Sequence, residues 1–84
     1  MTDHSYPQAP RSISAIARDI RYHWRKPYFG AIPYIGAMAE LDTIHDNYGA
    51  DSAKSVVLYF LSNASTWRGS DAKRIKAELK GLVK

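Results

Sequence analysis

Three histidines are the residues of this 84-residue chain whose side chains most often serve in catalysis or as metal ligands. His4, His23 and His45 lie so far apart in sequence that no two of them share a helical face at the spacing of a metal-binding pair. The chain has no cysteine, no glycine-rich phosphate loop and no nucleophile elbow. The sequence therefore predicts a protein without a catalytic site, a metal or another cofactor.

Three aspartates, Asp42, Asp46 and Asp51, lie around a predicted turn in the middle of the chain. When Gly49 is aligned with the glycine of a calcium-binding loop, Ile44 occupies the position of the first acidic ligand, so the calcium motif fails. Asn and Gly are the residues that turns favour, and Asp or Ser is favoured at the start of a helix. The segment 45–51 is thus predicted to be a turn, with Asp51 or Ser52 as the cap of the helix that follows.

In four segments the apolar residues lie three, four and seven residues apart, which is the spacing of one face of a helix. These are Ile13, Ile16, Ala17, Ile20 and Trp24; Tyr34, Ala37, Met38, Leu41 and Ile44; Ala53, Val56, Val57, Phe60, Leu61 and Ala64; and Ala72, Ile75, Leu79, Leu82 and Val83. No segment alternates with the period of two that a strand requires. We therefore predict an all-α fold, a compact bundle of four short helices in a single domain over residues 11–84, preceded by a disordered N-terminal arm over residues 1–10.

Capping and helix-breaking residues set the expected helix ends. Ser12 is placed to cap the first helix, and Pro27 should end that helix near residue 25 because the ring of a proline disfavours helical geometry in the preceding residue. Pro33 suits the first position of the second helix, and Ser70 is expected to cap the fourth. Gly36 inside the second helix suggests that this helix packs closely against a neighbour.

Basic residues form two rows. The net charge is +4, and bases predominate in residues 1–30 and 54–84, whereas residues 31–53 carry four acids and no base. One row lies beside Tyr22 within an arc of about 80° and contains Arg11, Arg18, Arg21 and Arg25; the other contains Lys73, Lys76, Lys80 and Lys84. Such rows either neutralise the phosphates of a nucleic acid or form a solvated face that keeps a small protein in solution.

An unusual concentration of aromatic rings, prolines and glycines lies in the stretch KPYFGAIPYIGAM, residues 26–38. Its rings, Tyr28, Phe29 and Tyr34, either anchor a partner or close one end of the bundle by packing over Trp24 and Trp67. Because a small bundle needs such a plug, the structural role is the expectation, with a tyrosine hydroxyl left exposed.

The outward side of the third helix lacks the charges that a solvated face usually carries. No charged residue occurs between Lys54 and Arg68, and the outward positions are Ser55, Leu58, Tyr59 and Ser62. A helix with such a face is either central in its own fold or buried against a partner. We therefore expect a homodimer that buries these four residues.

The stretches PYFGAIPY (residues 27–34), YGADSAKSVVLYFLSNASTWRG (48–69) and AKRIKAEL (72–79) resemble small uncharacterised proteins of actinobacteriophages, mycobacteriophages among them, and of related prophages. The resemblance implies a phage accessory protein in the bacterial cytoplasm, and no particular activity. The leading hypothesis is a non-enzymatic protein that binds a host or phage protein through Tyr28, Phe29, Tyr34, Arg18, Arg21 and Arg25. The alternative is nucleic-acid binding through Arg11, Arg18, Arg21, Arg25, Lys73, Lys76 and Lys80; a membrane partner is not expected, since no long apolar run is present.

Overall fold

The computed structural model describes residues 10–84. Four α-helices occupy most of this range: α1 Ile13–His23, α2 Ile32–Met38, α3 Ala53–Ser62 and α4 Ser70–Leu82. A 3-10 helix, Phe29–Ala31, leads directly into α2. The prediction of four short helices is confirmed, and within residues 10–84 no helix is long and apolar enough to cross a membrane. The arm predicted for residues 1–10 lies, apart from Pro10, outside the described residues.

The prediction of an all-α fold is confirmed only in part, because a small hairpin joins α2 to α3. Its strands are β1 Asn47–Tyr48 and β2 Asp51–Ser52, which pair antiparallel with Asn47 opposite Ser52. Gly49 begins the two-residue loop with a φ of 61°, a conformation that glycine adopts without strain and that such loops favour at this position. Both strands are exposed and only two residues long, so they leave no alternation of polar and apolar residues in the sequence.

One apolar core lies between the helices. α2 packs against α1 and α3, while α4 packs against α1 and α3. The helical residues buried in this core are Ile13, Ile16, Ala17 and Ile20 of α1, Ile35, Ala37 and Met38 of α2, Ala53, Val56, Val57 and Phe60 of α3, and Ala72, Ile75 and Leu79 of α4. The buried positions predicted for α1, α3 and α4 are therefore confirmed, with Trp24, Leu61, Leu82 and Val83 only partly buried against the core. In α2 the stripe omitted the buried Ile35, and Tyr34 is likewise only partly buried against the core.

Helix α1 begins as predicted, and the way it begins explains why α2 is short. The hydroxyl of Ser12 accepts a hydrogen bond from the N–H of Ala15 at 3.1 Å. The two preceding N–H groups of the helix donate to the carbonyls of Asp42 and Leu41, at 2.9 and 2.8 Å. Because the first N–H groups of a helix have no partner within it, the chain after α2 turns to supply these carbonyls. Helix α2 thus ends at Met38, well before the expected end at Ile44.

Helix α4 does not begin as predicted. Ser70 is its first helical residue, and the capping position belongs to Gly69, which has a φ of 110° and offers no side chain to the helix. The acidic Asp71 lies in the first turn, where the partial positive charge of the helix N-terminus favours a carboxylate. The positive φ makes glycine the suitable residue at position 69, and the predicted cap at Ser70 is therefore wrong.

We predict that Gly36→Ala stabilises the protein. The close packing expected at Gly36 is wrong, because a Cβ atom built there meets no atom within 4 Å. Alanine should then raise the free energy of unfolding by about 0.5–1 kcal/mol, since it reduces the freedom of the unfolded chain and favours the helix. Urea unfolding measures the change.

The matched control is Gly49→Ala, which makes the same chemical change at a φ of 61°. It should lower the free energy of unfolding, because alanine is strained in this conformation. A loss of stability in Gly36→Ala would show that α2 does pack closely at this position.

Candidate partner-binding surface

Two tryptophans close the end of the bundle where α1 ends. The ring of Trp24 stacks on that of Trp67 with a centroid separation of 5.2 Å and an angle of 7° between the planes. Trp24 also meets the buried ring of Phe60 edge-on at 6.3 Å. Trp67 itself is only 5% exposed. The plug that the sequence assigned to the aromatic stretch is therefore built from the tryptophans themselves.

The rings next to this plug point outward. Phe29 is 76% exposed, Tyr28 45% and Ile32 51%, while Tyr34 is half-buried. The interpretation of Tyr28 and Phe29 as a lid over the tryptophans is thus wrong: their rings lie 4.9 Å apart on the surface. We call Tyr28, Phe29, Ile32 and Tyr34 the aromatic corner. Phe29 and Ile32 stand three residues apart, the spacing at which side chains of a 3-10 turn lie one above the other.

A glycine fixes one side of the aromatic corner. A Cβ atom at Gly30 would lie 2.6 Å from the ring of Tyr28 and 2.7 Å from the side-chain oxygen of Asn63. The Tyr28 ring and Asn63 therefore both approach the backbone more closely than any larger residue would allow. Asn63 in turn donates a hydrogen bond to the carbonyl of Tyr59 at 2.9 Å. Through the contact of Gly30 with Asn63, the 3-10 helix packs against the end of α3.

A second contact fastens the other side of the aromatic corner to α3. The rings of Tyr34 and Tyr59 stack with centroids 5.6 Å apart and an interplanar angle of 30°. Tyr59 is 53% exposed, and its neighbour Leu58 is 43% exposed. We call Ser55, Leu58, Tyr59 and Ser62 the α3 outer face. All four residues that the sequence assigned to this face lie at least partly at the surface, with Tyr59 at the border of the aromatic corner.

Asp19 is the centre of an ion-pair cluster between α1 and α4. Its carboxylate accepts hydrogen bonds from Arg11 at 3.0 Å and Arg74 at 3.1 Å, and it lies 2.9 Å from Nδ1 of His23. The Asp19 side chain is 16% exposed. The hydrogen bond from Arg74, together with that from Arg11, lowers the pKa of Asp19 below its ordinary value, even though burial acts in the opposite direction.

Two further carboxylates complete the cluster. Glu78 accepts hydrogen bonds from two nitrogens of Arg11, at 2.6 and 3.0 Å, which is the paired geometry that arginine and carboxylate favour. Asp71 binds Arg74 at 3.0 Å and lies 3.5 Å from Nε2 of His23. Arg11, which the sequence placed in a row for nucleic-acid binding, is thus held by carboxylates of its own chain.

The other arginines of the predicted row are free of such partners. Arg18, Arg21 and Arg25 are exposed, and no carboxylate oxygen of residues 10–84 lies within 4.0 Å of them. Arg18 and Arg21 lie about 100° and 160° around α1 from Asp19, on the side away from the ion-pair cluster. Arg25 lies beyond the end of α1, and its Cα is within about 15 Å of that of Phe29 along the chain. Arg25 is therefore the arginine that the chain places nearest the aromatic corner, whereas Arg21 and Arg18 lie one and two turns earlier on α1.

The lysines of α4 form a separate group. Lys73 and Lys80 are exposed and lie about 120–140° around α4 from the residues that face α1. Lys76 is partly buried and donates a hydrogen bond to the carbonyl of Ala64 at 2.7 Å. Burial, with repulsion from Lys80 and Arg68, lowers the pKa of Lys76. The ion-pair cluster lies between the arginines of α1 and the lysines of α4, so the two predicted rows do not merge into one surface.

An aspartate holds the turn that lies between α2 and the hairpin. The carboxylate of Asp46 accepts hydrogen bonds from the N–H groups of Thr43 and Asp42 at 3.0 and 2.9 Å, which lower its pKa. Ser52, rather than Asp51, caps α3 by accepting from the N–H of Ser55 at 3.1 Å. His4 lies outside the described residues, and among residues 10–84 no three His, Cys, Asp or Glu side chains are grouped as metal ligands.

Gly30, Ile32 and Asn63 belong to the surface but were not predicted from the sequence. Ile32 left one signal, since it is a large apolar residue outside the buried stripe of α2. The roles of Gly30 and Asn63 depend on a contact between segments 33 residues apart, which no local pattern records. Comparison of the chain with protein-family models, with curated proteins and with solved structures gives no match. The function of this surface therefore has to be inferred from its own geometry.

We predict that Asp19→Asn reduces the dependence of stability on pH. Because the pKa of Asp19 is lower in the folded than in the unfolded protein, its carboxylate stabilises the fold above about pH 4, and this contribution is lost as the pH falls toward the folded-state pKa. The wild type should therefore be more stable than Asp19→Asn at neutral pH, and the difference should shrink toward pH 2. Urea unfolding at a series of pH values measures this.

Glu40→Gln is the control, because Glu40 is exposed and has no ion pair among the described residues. Its stability curve should run parallel to that of the wild type. Parallel curves for Asp19→Asn as well would mean that the ion-pair cluster does not stabilise the fold.

We predict that Gly30→Ala displaces the ring of Tyr28 and leaves the fold intact. The atoms that a Cβ would strike belong to side chains, which can move without the backbone. The free energy of unfolding should fall by about 1 kcal/mol, at the low end for overpacking. NMR contacts between the Tyr28 ring and residue 30, compared between the wild type and the variant, report the displacement. Gly36→Ala should leave the Tyr28 resonances unchanged; unchanged resonances in Gly30→Ala would contradict the close approach.

Proposed function

We propose that the protein is a non-enzymatic binding protein that attaches to a host or phage protein through the aromatic corner and the arginines beside it. The observation that carries this proposal is the 76% exposure of Phe29 at the end of a bundle whose core is already closed by Trp24 and Trp67. The setting we propose is a phage-type accessory protein in the cytoplasm of an actinobacterium, on the basis of the sequence resemblance.

The aromatic corner has the properties of a set of binding anchors. Large apolar side chains that desolvate on binding supply most of the affinity of protein interfaces. Tyr28 is held against Gly30, and Tyr34 is stacked on Tyr59, so both rings lose little conformational freedom when a partner covers them. Phe29 and Ile32 are the most exposed residues of the aromatic corner and therefore have the most apolar surface to bury.

The charges beside the aromatic corner favour an acidic partner. Arg18, Arg21 and Arg25 are exposed and have no carboxylate partner among the described residues. Arginines at the rim of an interface attract a partner of opposite charge and orient it as it approaches. We therefore propose a protein partner that presents apolar side chains within an acidic surface.

Nucleic-acid binding remains the alternative, and the same arginines, next to the 72% exposed ring of Tyr22, are the feature that favours it. Two of its seven proposed residues have partners within the chain: Arg11 binds carboxylates, and Lys76 binds the carbonyl of Ala64. The remaining residues lie in two groups on either side of the ion-pair cluster. A continuous path for a phosphate backbone is therefore less well supported than a protein contact at the aromatic corner.

We predict that Phe29→Ala weakens binding to the protein partner by about tenfold or more, which is the usual effect of removing an anchor residue. The tagged wild type and the variant are immobilised, incubated with actinobacterial lysate with and without nuclease, and washed at low and high salt. The retained proteins are then identified and quantified. The partner should remain on the wild type after nuclease treatment and at high salt.

Tyr48→Ala is the matched control, because Tyr48 is an exposed aromatic residue outside both the aromatic corner and the α3 outer face. It should retain the partner as the wild type does, whereas Gly30→Ala should lose part of it. Equal retention by the wild type and Phe29→Ala would refute the proposal. Recovery of nucleic acid alone, lost at high salt and in the triple variant Arg18→Ala, Arg21→Ala and Arg25→Ala, would favour the alternative.

A further inference from the structure

The α3 outer face bears no charge over about two turns of helix, and the exposed Lys54 lies beside it in the first turn of α3. Leu58 and Tyr59 are 43% and 53% exposed, and Ser55 and Ser62 lie between them. By contrast, α1 presents Arg18 and Arg21 to solvent and α4 presents lysines. A solvated helix normally carries charges on its outward side, so the composition of this face indicates that another surface covers it.

The serine hydroxyls of this face already have hydrogen-bond partners within the chain. The Ser62 hydroxyl donates a hydrogen bond to the carbonyl of Leu58 at 3.1 Å, and the Ser55 hydroxyl accepts one from the hydroxyl of Ser52 at 3.0 Å. Burying a polar group costs free energy mainly when it loses its hydrogen bond. Because both serine hydroxyls keep a partner within the chain, covering them costs little free energy.

We propose that a second copy of this chain covers the α3 outer face, with the two α3 helices packed antiparallel about a two-fold axis between Leu58 and Tyr59. This inference is independent of the proposed function. Such an axis places Ser55 of each copy opposite Ser62 of the other, in the middle of the contact, and brings Leu58 and Tyr59 against their own counterparts on either side. Small residues in the middle let the helices approach closely, while the large ones fill the space at the sides. The face is thus complementary to itself.

The charges at the two ends of α3 also select this orientation. The segment before the helix, residues 31–53, carries four acids and no base, and Asp51 at its end is exposed. Beyond the other end lie Arg68, which is exposed, and Lys76, which binds Ala64. Antiparallel packing brings Asp51 of one copy toward Arg68 of the other, whereas parallel packing would bring like charges together. Lys54, in the first turn of α3, is the base nearest this acidic end.

The test is the oligomeric state of the purified protein, measured by sedimentation over micromolar to millimolar concentrations. The wild type should be in equilibrium between monomer and dimer, and Leu58→Arg should raise the dissociation constant of the dimer at least about tenfold, since it puts two like charges in contact. Phe29→Arg is the matched control and should leave the dissociation constant unchanged. Circular dichroism verifies that both variants are folded.

A charge exchange tests the orientation. Asp51→Lys and Arg68→Asp should each weaken the dimer at low salt, and the double variant should restore it, because the exchanged charges then meet with opposite sign again. A wild type that stays monomeric at the highest concentration would overturn the proposal. So would a dimer that survives Leu58→Arg and dissociates in Phe29→Arg, which would assign self-association to the aromatic corner instead.

Discussion

The stacking of Trp24 on Trp67 determines what the neighbouring aromatic residues can do. A bundle of short helices has one end where α1 stops, and some large side chain must cover the core there. Because the two tryptophans lie flat on each other beside the buried Phe60, they close that end of the core and leave Tyr28 partly exposed. Of the rings that follow, Tyr34 is only partly buried against the core, and Tyr28 and Phe29 are exposed. The candidate surface is therefore a consequence of how the core is closed.

The elements that sequence analysis identified correctly are those in which local pattern and tertiary packing agree. In α1, α3 and α4 a periodic apolar stripe faces the core, and Ser12 and Ser52 cap their helices. Helix α2 departs from its pattern because the carbonyls that follow it are needed by the first N–H groups of α1. The composition of the aromatic stretch identified a candidate surface, but not its exposure, since either pair of rings, Trp24 with Trp67 or Tyr28 with Phe29, satisfied the need for a plug.

Long-range ion pairs explain which charges are left for partners. Arg11 and Glu78 are 67 residues apart in sequence, so helical spacing could not reveal that they bind each other. Asp19 binds Arg11 and Arg74 between α1 and α4. Arg18 and Arg21 lie on the far side of α1. A basic protein with evenly exposed charges would suit any polyanion. Here Arg18 and Arg21 instead lie on α1 with the exposed Tyr22, and Arg25 lies four residues before the exposed Phe29, an arrangement that suits an acidic protein surface with apolar side chains of its own.

The stacked rings of Tyr34 and Tyr59 join the two proposed contacts, because Tyr34 belongs to the aromatic corner and Tyr59 to the α3 outer face. A second copy that covers Tyr59 would restrict its ring and, through the stack, that of Tyr34. A partner that then binds the aromatic corner meets a ring already ordered, and the loss of conformational freedom on binding is smaller. Coupling of this kind is reciprocal, so partner binding would strengthen the dimer by the same factor. Under the two proposals, this single pair of tyrosines would link self-association to recognition.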